Sequence, residues 1–509
     1  MTASSIVVEG STSLLFTLVL AALFMVVPAD FDTAILASQA LALAGLATTA
    51  LLLGSRLKEA GTARPARLLI LAAFLLLPAH LNEVQNGMEM TWFAALLLLM
   101  VLLFDRGSYL AIFVIPLLLM VRFEAAGYLL FAFLALFVFD REYRMAHVVF
   151  LVTTIVSIVA LAAGRFWMFG DVVPNGVWAG LTLPHDGAAA LAGLSQFLGE
   201  TFELILIAVL LAAVFRGTAL LRDVKFWLAV GFAAFALIAG PFEGHAGRMA
   251  LALLPVLIVF VIEQVDLPED AAPAMAPAGR APFWAALIAI AATAIGSVES
   301  GRKALEAATH GGVAQGLITE AVAAQAGIVS ARPATDTAAA AHQAAEALAR
   351  LQGVLGTDIT ILTHKIAGLG LCCDGVGLRV LDLTPVANPD MARGGYSGFA
   401  DWLAAETPDV IVASGPWAER SGLYTSGVLA EGYHPLIHAE MLLWLRSDHY
   451  SALAERPGTE LRTVRKSDVP ALIATSLDTE DIDYLRALPR PVEALTLAPG
   501  AHEMARMRG

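Results

Sequence analysis

Charge is scarce in this chain. Of its 509 residues only 15% are charged, against 58% hydrophobic, and the mean hydropathy is +0.74. A soluble fold cannot bury that much apolar surface, so the composition predicts a chain solvated largely by a bilayer. Positive charge is the scarcer sign. The net charge of −14 excludes nucleic acid as a partner. Cysteine is almost missing, with Cys372 and Cys373 adjacent and alone. Neighbouring cysteines rarely form an unstrained disulfide, and two thiols are too few for a structural zinc site. They read as a pair of partly buried small residues. No basic stretch precedes the first apolar run, so the pattern of a signal peptide is absent. Absent too are a P-loop, a Rossmann glycine fingerprint, a Gly-x-Ser-x-Gly elbow and any internal repeat.

Long apolar runs are what the chain has in quantity. They recur at Leu14–Val27, Ile35–Leu53, Leu68–Leu77, Trp92–Phe104, Leu110–Val121 and Ala125–Phe139. They continue at Val148–Ala163, Phe202–Phe215, Phe226–Ala239, Met249–Ile262 and Trp284–Ile295. The reading is a polytopic α-helical membrane protein of about 10–11 spans, with short runs extended by semi-polar flanks or lying re-entrant. After about Ser297 the pattern changes. Ile359–Leu362, Leu378–Leu383 and Val410–Ala413 read as strands, and the Ala-rich Thr337–Gln352 as a helix. The expected organisation is a transmembrane domain over 1–297, a C-terminal soluble α/β domain over 298–495, and a loose tail over 496–509.

Basic residues set the orientation. Arg56, Lys58, Arg64 and Arg67 share one loop, Arg141 and Arg144 a second, and Arg216, Arg222 and Lys225 a third. The Pro/Ala linker Leu267–Pro282 carries Arg280. With these in the cytoplasm, the loops His80–Glu89, Arg165–Ser195 and Gly240–Arg248 lie on the outer face, with the Arg122–Glu124 corner and the C-terminal domain. The polar islands of the chain then share one side.

Those islands, in their order, resemble the motifs of the arabinofuranosyltransferase-like branch of the GT-C membrane glycosyltransferases. Val8-Glu9-Gly10-Ser11-Thr12 resembles the family's Val-Glu-Gly-x-Thr, and Asn86-Gly87-Met88-Glu89 its Ser-Gly-Leu/Met-Glu-Thr. Arg122-Phe123-Glu124-Ala125 resembles Arg-Pro-Glu-Gly. Arg165-Phe166-Trp167 through Pro174-Asn175 resembles an aromatic-Gly-x-x-x-Pro-Asn-Thr loop. Gly240-Pro241-Phe242-Glu243 through Arg248 resembles a Gly-Gly-Asp…Arg segment, and Val380–Leu383 with Pro408–Val412 the branch's terminal domain. The resemblance implies a bacterial cytoplasmic-membrane enzyme with an extracytoplasmic C-terminal domain. It would move a sugar from a polyprenyl-phosphate donor to a cell-envelope glycan or protein. The family's acidic pair, its expected catalytic base, lies ahead of Val-Glu-Gly. This chain begins a few residues before Val8, so the resemblance implies a truncated relative whose catalytic residue is unassigned. Asp30 and Asp32 follow the first run and do not take that place.

Such a transfer needs a carboxylate to take a proton, cations to steady the departing phosphate, and a groove for the prenyl tail. Arg122 and Arg248 are the expected phosphate ligands, since guanidinium offers a bidentate fork; each reads equally as a headgroup anchor. Glu89, Glu124, Asn175, Glu243 and His245 are the expected substrate-binding residues. For Glu124 an ion pair with Arg122 is the stronger reading, and Asn175 reads equally as a turn cap after Pro174. No cofactor is expected. Glu243 with His245 makes a thin ligand set for a divalent metal, and His434 and His438 are four apart but interrupted by Pro435. The rival readings are a non-catalytic glycan-binding relative and a transporter or flippase, the latter disfavoured because its polar groups belong at mid-membrane.

Overall fold

The computed structural model describes residues 13–27, 31–85, 87–174, 177, 217–239, 245–265, 334–364, 378–384, 389–414, 416–473, 477 and 479–497. The chain divides into two compact units, one within Ser11–Thr335 and one within Asp336–Gly509.

The first unit is helical. Its helices are α1 (Leu14–Phe24), α2 (Phe31–Glu59), α3 (Arg64–Leu75), α4 (Pro78–Gln85) and α5 (Met90–Asp105). They continue with α6 (Ala111–Val121), α7 (Ala125–Phe139), α8 (Arg144–Phe169), α9 (Val224–Ala239) and α10 (His245–Val265). By length and composition, Thr33–Glu59 and Arg144–Met168 are apolar and long enough to cross a membrane; the other apolar helices among the described residues are shorter. The expected runs Phe202–Phe215 and Trp284–Ile295, the linker Leu267–Pro282 and Cys372 and Cys373 lie outside the described residues.

α5 is the hub, buried at ten of its positions between Met90 and Leu102 and packed on α2, α6 and α10. Polar side chains lock α2 to the end of α4 and the start of α5. Thr91 Oγ1 donates to Ala42 O at 2.8 Å, Trp92 Nε1 to Leu41 O at 2.7 Å, and Gln39 Nε2 to Gln85 O at 2.7 Å. The sequence reads His80–Glu89 as a loop, but its first part is α4. Pro78 opens that helix, where its missing N–H costs nothing and its fixed φ suits the first turn.

α8 shows an inverted face pattern. Met145, Val149, Val152, Val156 and Val159 are partly or largely exposed at spacings of four, three, four and three. His147, Phe150, Thr154, Ser157 and Arg165 are buried on the opposite side. A water-soluble helix puts its polar residues outward; this one puts them in.

The second unit carries a seven-stranded mixed sheet in the order β2-β1-β3-β5-β4-β7-β6. The strands are β1 (Ile359–Thr363), β2 (Leu378–Asp382), β3 (Val410–Val412), β4 (Tyr433–His438), β5 (Met441–Arg446), β6 (Thr459–Val464) and β7 (Val492–Leu497). The first three, expected from the sequence, pair in parallel around β1. β4 and β5 form an antiparallel hairpin whose two turn residues, Ala439 and Glu440, have φ of 48° and 57°. The helix Ala334–Leu355 contains the expected Thr337–Gln352 and contributes Leu348, Leu351 and Val354 to the sheet's core.

Candidate functional site

Two clusters of buried charge occupy opposite ends of the helical unit. They are tied to the two ends of α5, about 24 Å apart at 1.5 Å per residue. At its C-terminal end Lys225 Nζ lies 2.8 Å from Asp105, 3.1 Å from Glu263 and 3.4 Å from Asp223. Arg56 Nε donates to Glu263 at 3.1 Å, and Arg106 pairs with Glu59. His147 and Asp140, both buried, pair at 2.8 Å beside Phe104. Lys225, Arg56 and Arg106 each meet a carboxylate, which ties α2, α5, α9 and α10 together at one end.

The other end is different. Arg122 ends α6 in extended backbone, φ −144° and ψ 109°, and only 2% of it is exposed. The chain turns at Phe123, with Ala125 N donating to Arg122 O at 3.1 Å, and Glu124 stands at the N-cap position of α7 without a side-chain cap bond. Glu89 stands at the start of α5, but its side chain makes no cap bond; it reaches Arg122 Nη2 at 2.6 Å. Glu124 Oε1 lies 3.6 Å from Arg122 Nη1. Glu83, buried on α4, also acts electrostatically on this guanidinium. Tyr128, one turn beyond Glu124 and 1% exposed, lies within electrostatic reach of both Arg122 and Glu124.

Buried polar atoms are almost always hydrogen-bonded. Here Arg122 Nε and Nη1, Glu124 Oε2 and Tyr128 OH are all buried with no hydrogen-bond partner. Together they present two donors, one acceptor and one hydroxyl that can do either. Tyr128 is held from behind: its ring stacks on Phe232 at 4.1 Å and meets Phe235 edge-on at 5.9 Å. α9 comes this close because residue 231 is glycine. A Cβ there would meet Tyr128 Cβ at 2.8 Å.

The islands that the sequence singles out meet at this end in part. Glu89, Arg122 and Glu124 come together, and the buried Arg165 lies over the Phe123 ring, 5.7 Å from its centroid. Asn175 and Glu243 lie outside the described residues, and His245 and Arg248 are placed only as backbone in the first turn of α10. Glu83 and Tyr128 were not expected. Glu83 sits in what reads as a loop and Tyr128 in what reads as a core aromatic, although its i+4 spacing from Glu124 is visible in the sequence. Among the described residues no group of three or more His, Cys, Asp or Glu is placed to hold a metal ion.

Compared with protein-family models, with curated proteins and with solved structures, the chain matches none.

Proposed function

We propose that this chain is an integral membrane glycosyltransferase. It transfers a sugar from a polyprenyl-phosphate donor to a cell-envelope glycan or protein, with the Arg122 end of the helical unit as its reaction face. The observation that carries the reading is the inverted polarity of the helical unit. Valines face outward on α8 while Arg122, Glu89, Glu83, Lys225, Asp140 and His147 are buried. A bilayer is the solvent that makes both halves of that pattern favourable. Ionisable groups buried in such a unit are functional candidates by default. Three of them, Arg122, Glu89 and Glu83, gather at the end that also carries the exposed Phe166 and Trp167, 61% and 87% exposed, aromatics of the kind that sit at headgroup level.

The end opposite takes the basic loops. Arg56, Lys58, Arg64, Arg141, Arg144 and Arg222 all flank the helix ends that carry the Lys225 cluster or run to it. This arrangement supports a cytoplasmic Lys225 end and an extracytoplasmic Arg122 end. The prenyl tail would then lie against the exposed apolar helix faces, in the outer leaflet.

The test is transfer of radiolabel from polyprenyl-phosphate sugars in membranes containing the chain. Labelled glycan or protein is the expected product, and Arg122→Ala abolishes it. Absence of transfer across a panel of pentose and hexose donors, with the chain shown to be folded, overturns the enzyme. Glycan binding without transfer would then mark it as a non-catalytic envelope protein.

A further inference from the structure

We propose that the Arg122 cluster is the acceptor site of that transfer, rather than its phosphate site, and that Glu124 is the base that takes the acceptor's proton. The inference rests on the glycosyltransferase reading for its reaction, and on the geometry of the cluster for its ligand.

Charge argues first. Three carboxylates, Glu83, Glu89 and Glu124, already act on the Arg122 guanidinium. Glu89 already occupies Nη2 at 2.6 Å. A phosphate brought to Arg122 would meet these carboxylates with little water to screen the repulsion. A neutral ligand does not meet that barrier.

Hydrogen-bonding capacity argues second. The atoms without partners are Arg122 Nε and Nη1, Glu124 Oε2 and Tyr128 OH. A pair of sugar hydroxyls supplies what they lack: oxygens to accept from the guanidinium, and O–H groups to donate to Glu124 and Tyr128. The donor's phosphodiester group has acceptor oxygens but no O–H at phosphorus, so it has nothing to donate to Glu124 Oε2.

The chemistry follows from that placement. The attacking hydroxyl gives its proton to Glu124 Oε2 as its oxygen bonds to the donor's anomeric carbon. The bond from that carbon to the phosphate oxygen breaks, and its electron pair leaves with the polyprenyl phosphate. Arg122 positions Glu124 through Oε1, 3.6 Å away, and leaves Oε2 to the proton. The departing phosphate then falls to cations outside this cluster. Arg248 is placed for that role by sequence, in the first turn of the 21-residue α10, where the helix end adds positive potential.

Two measurements on the full-length chain test this. In the transfer assay, Glu124→Gln is expected to lower turnover about 100-fold or more, the range of general-base catalysis. The donor KM stays within a factor of about three, and the acid limb of the pH profile disappears. Loss of donor affinity with turnover retained would instead place the donor here and overturn the proposal. In detergent, thermal shift is measured with methyl glycosides of pentoses and hexoses and, separately, with inorganic phosphate and a short prenyl phosphate. A glycoside is expected to stabilise the wild type and not Tyr128→Phe, while the phosphates act equally on both. Phosphate stabilisation lost in Tyr128→Phe, or no glycoside effect at all, overturns the ligand assignment. Glycoside binding of this pattern in a chain that transfers nothing would leave the polyol site standing and remove the enzyme.

Discussion

Removing one member of a buried charge cluster is more damaging than the net worth of the pair, because the partners are left uncompensated. Arg122→Ala takes the guanidinium away from Glu89 and Glu83, 7% and 3% exposed, and leaves a void in its place. The expected cost is about 3–5 kcal/mol, read by thermal or denaturant unfolding in detergent. Adding Glu89→Ala removes the charge that Arg122 faced at 2.6 Å, so the double variant should lose less than the sum of the two singles. Strict additivity would show that the two side chains are independent and that the cluster does not exist as described. In the α/β unit, histidine sets a different dependence. Burial pushes the pKa of His438 below its ordinary value, and His434 is lowered by burial and then by Arg490. Unfolded, both take up protons near pH 6.5. Their stabilising contribution is therefore complete above that pH and is lost as pH falls toward the lowered folded values. Asp448, hydrogen-bonded by Arg446 and held down to about 2, stays ionised throughout that window and adds no slope. Hydrogen exchange of β4 and β5 amides between pH 7.5 and 5 checks this. Protection should drop with acid in the wild type and drop less in His438→Gln. Equal slopes would clear His438 of the effect.

At the scale of the element, the close approach of α9 to α7 is the contact that fixes the Arg122 end. Gly231→Ala puts a methyl group 2.8 Å from Tyr128 Cβ and 3.1 Å from its Cα, atoms that cannot swing away. The helices must part, at a cost of about 1–3 kcal/mol for overpacking. Gly127→Ala on α7 meets nothing within 4 Å and should be neutral or stabilising by helix propensity, which makes it the control. Equal melting temperatures for the two variants would remove Gly231 from the argument. The same elements show how far the sequence can be read. Ala125–Phe139 is a helix over the same residues as its apolar run, because Glu124 and Asp140 bound it sharply. α8 runs four residues earlier and six later than its run, since Arg144 and Arg165 are helical although they interrupt the apolar pattern. α4 was hidden by Pro78, His80, Asn82 and Glu83, too polar and too short to show a period. β4 was hidden by Pro435 and by a turn, Ala439-Glu440, that lacks the Asn-Gly chemistry marking a two-residue hairpin. In the site, Arg122, Glu89 and Glu124 stand out as charges at the ends of apolar runs. Tyr128 does not, because an aromatic in an apolar run is ordinary core until its hydroxyl is seen without a partner.

At the scale of the whole helical unit, the direction of each helix fixes which end every loop belongs to. α5 and α7 run away from the Arg122 cluster, α6, α8 and α9 run toward that end, and α10 runs back to Glu263. Basic residues follow the Lys225 end, including Arg56 and Lys58 in the last turn of α2, Arg64 and Arg67 in the first turn of α3, and Arg141 and Arg144 where α7 passes to α8. If the unit spans a bilayer, the excess of Lys and Arg places that end in the cytoplasm, and Trp167 on the far side. Impermeant maleimide labelling of intact cells tests this in a background of Cys372→Ser and Cys373→Ser. Trp167→Cys, at a position 87% exposed, should label from outside. Arg106→Cys, its native side chain 50% exposed at the other end, should label only after the membrane is opened. The reverse pattern would turn the unit over and put the Arg122 cluster in the cytoplasm, where nucleotide-linked donors are found rather than outward-facing lipid-linked ones. Labelling of both from outside would show that no bilayer separates the two ends. The valine face of α8 would then need another apolar partner, and the glycosyltransferase reading would lose the solvent on which it depends.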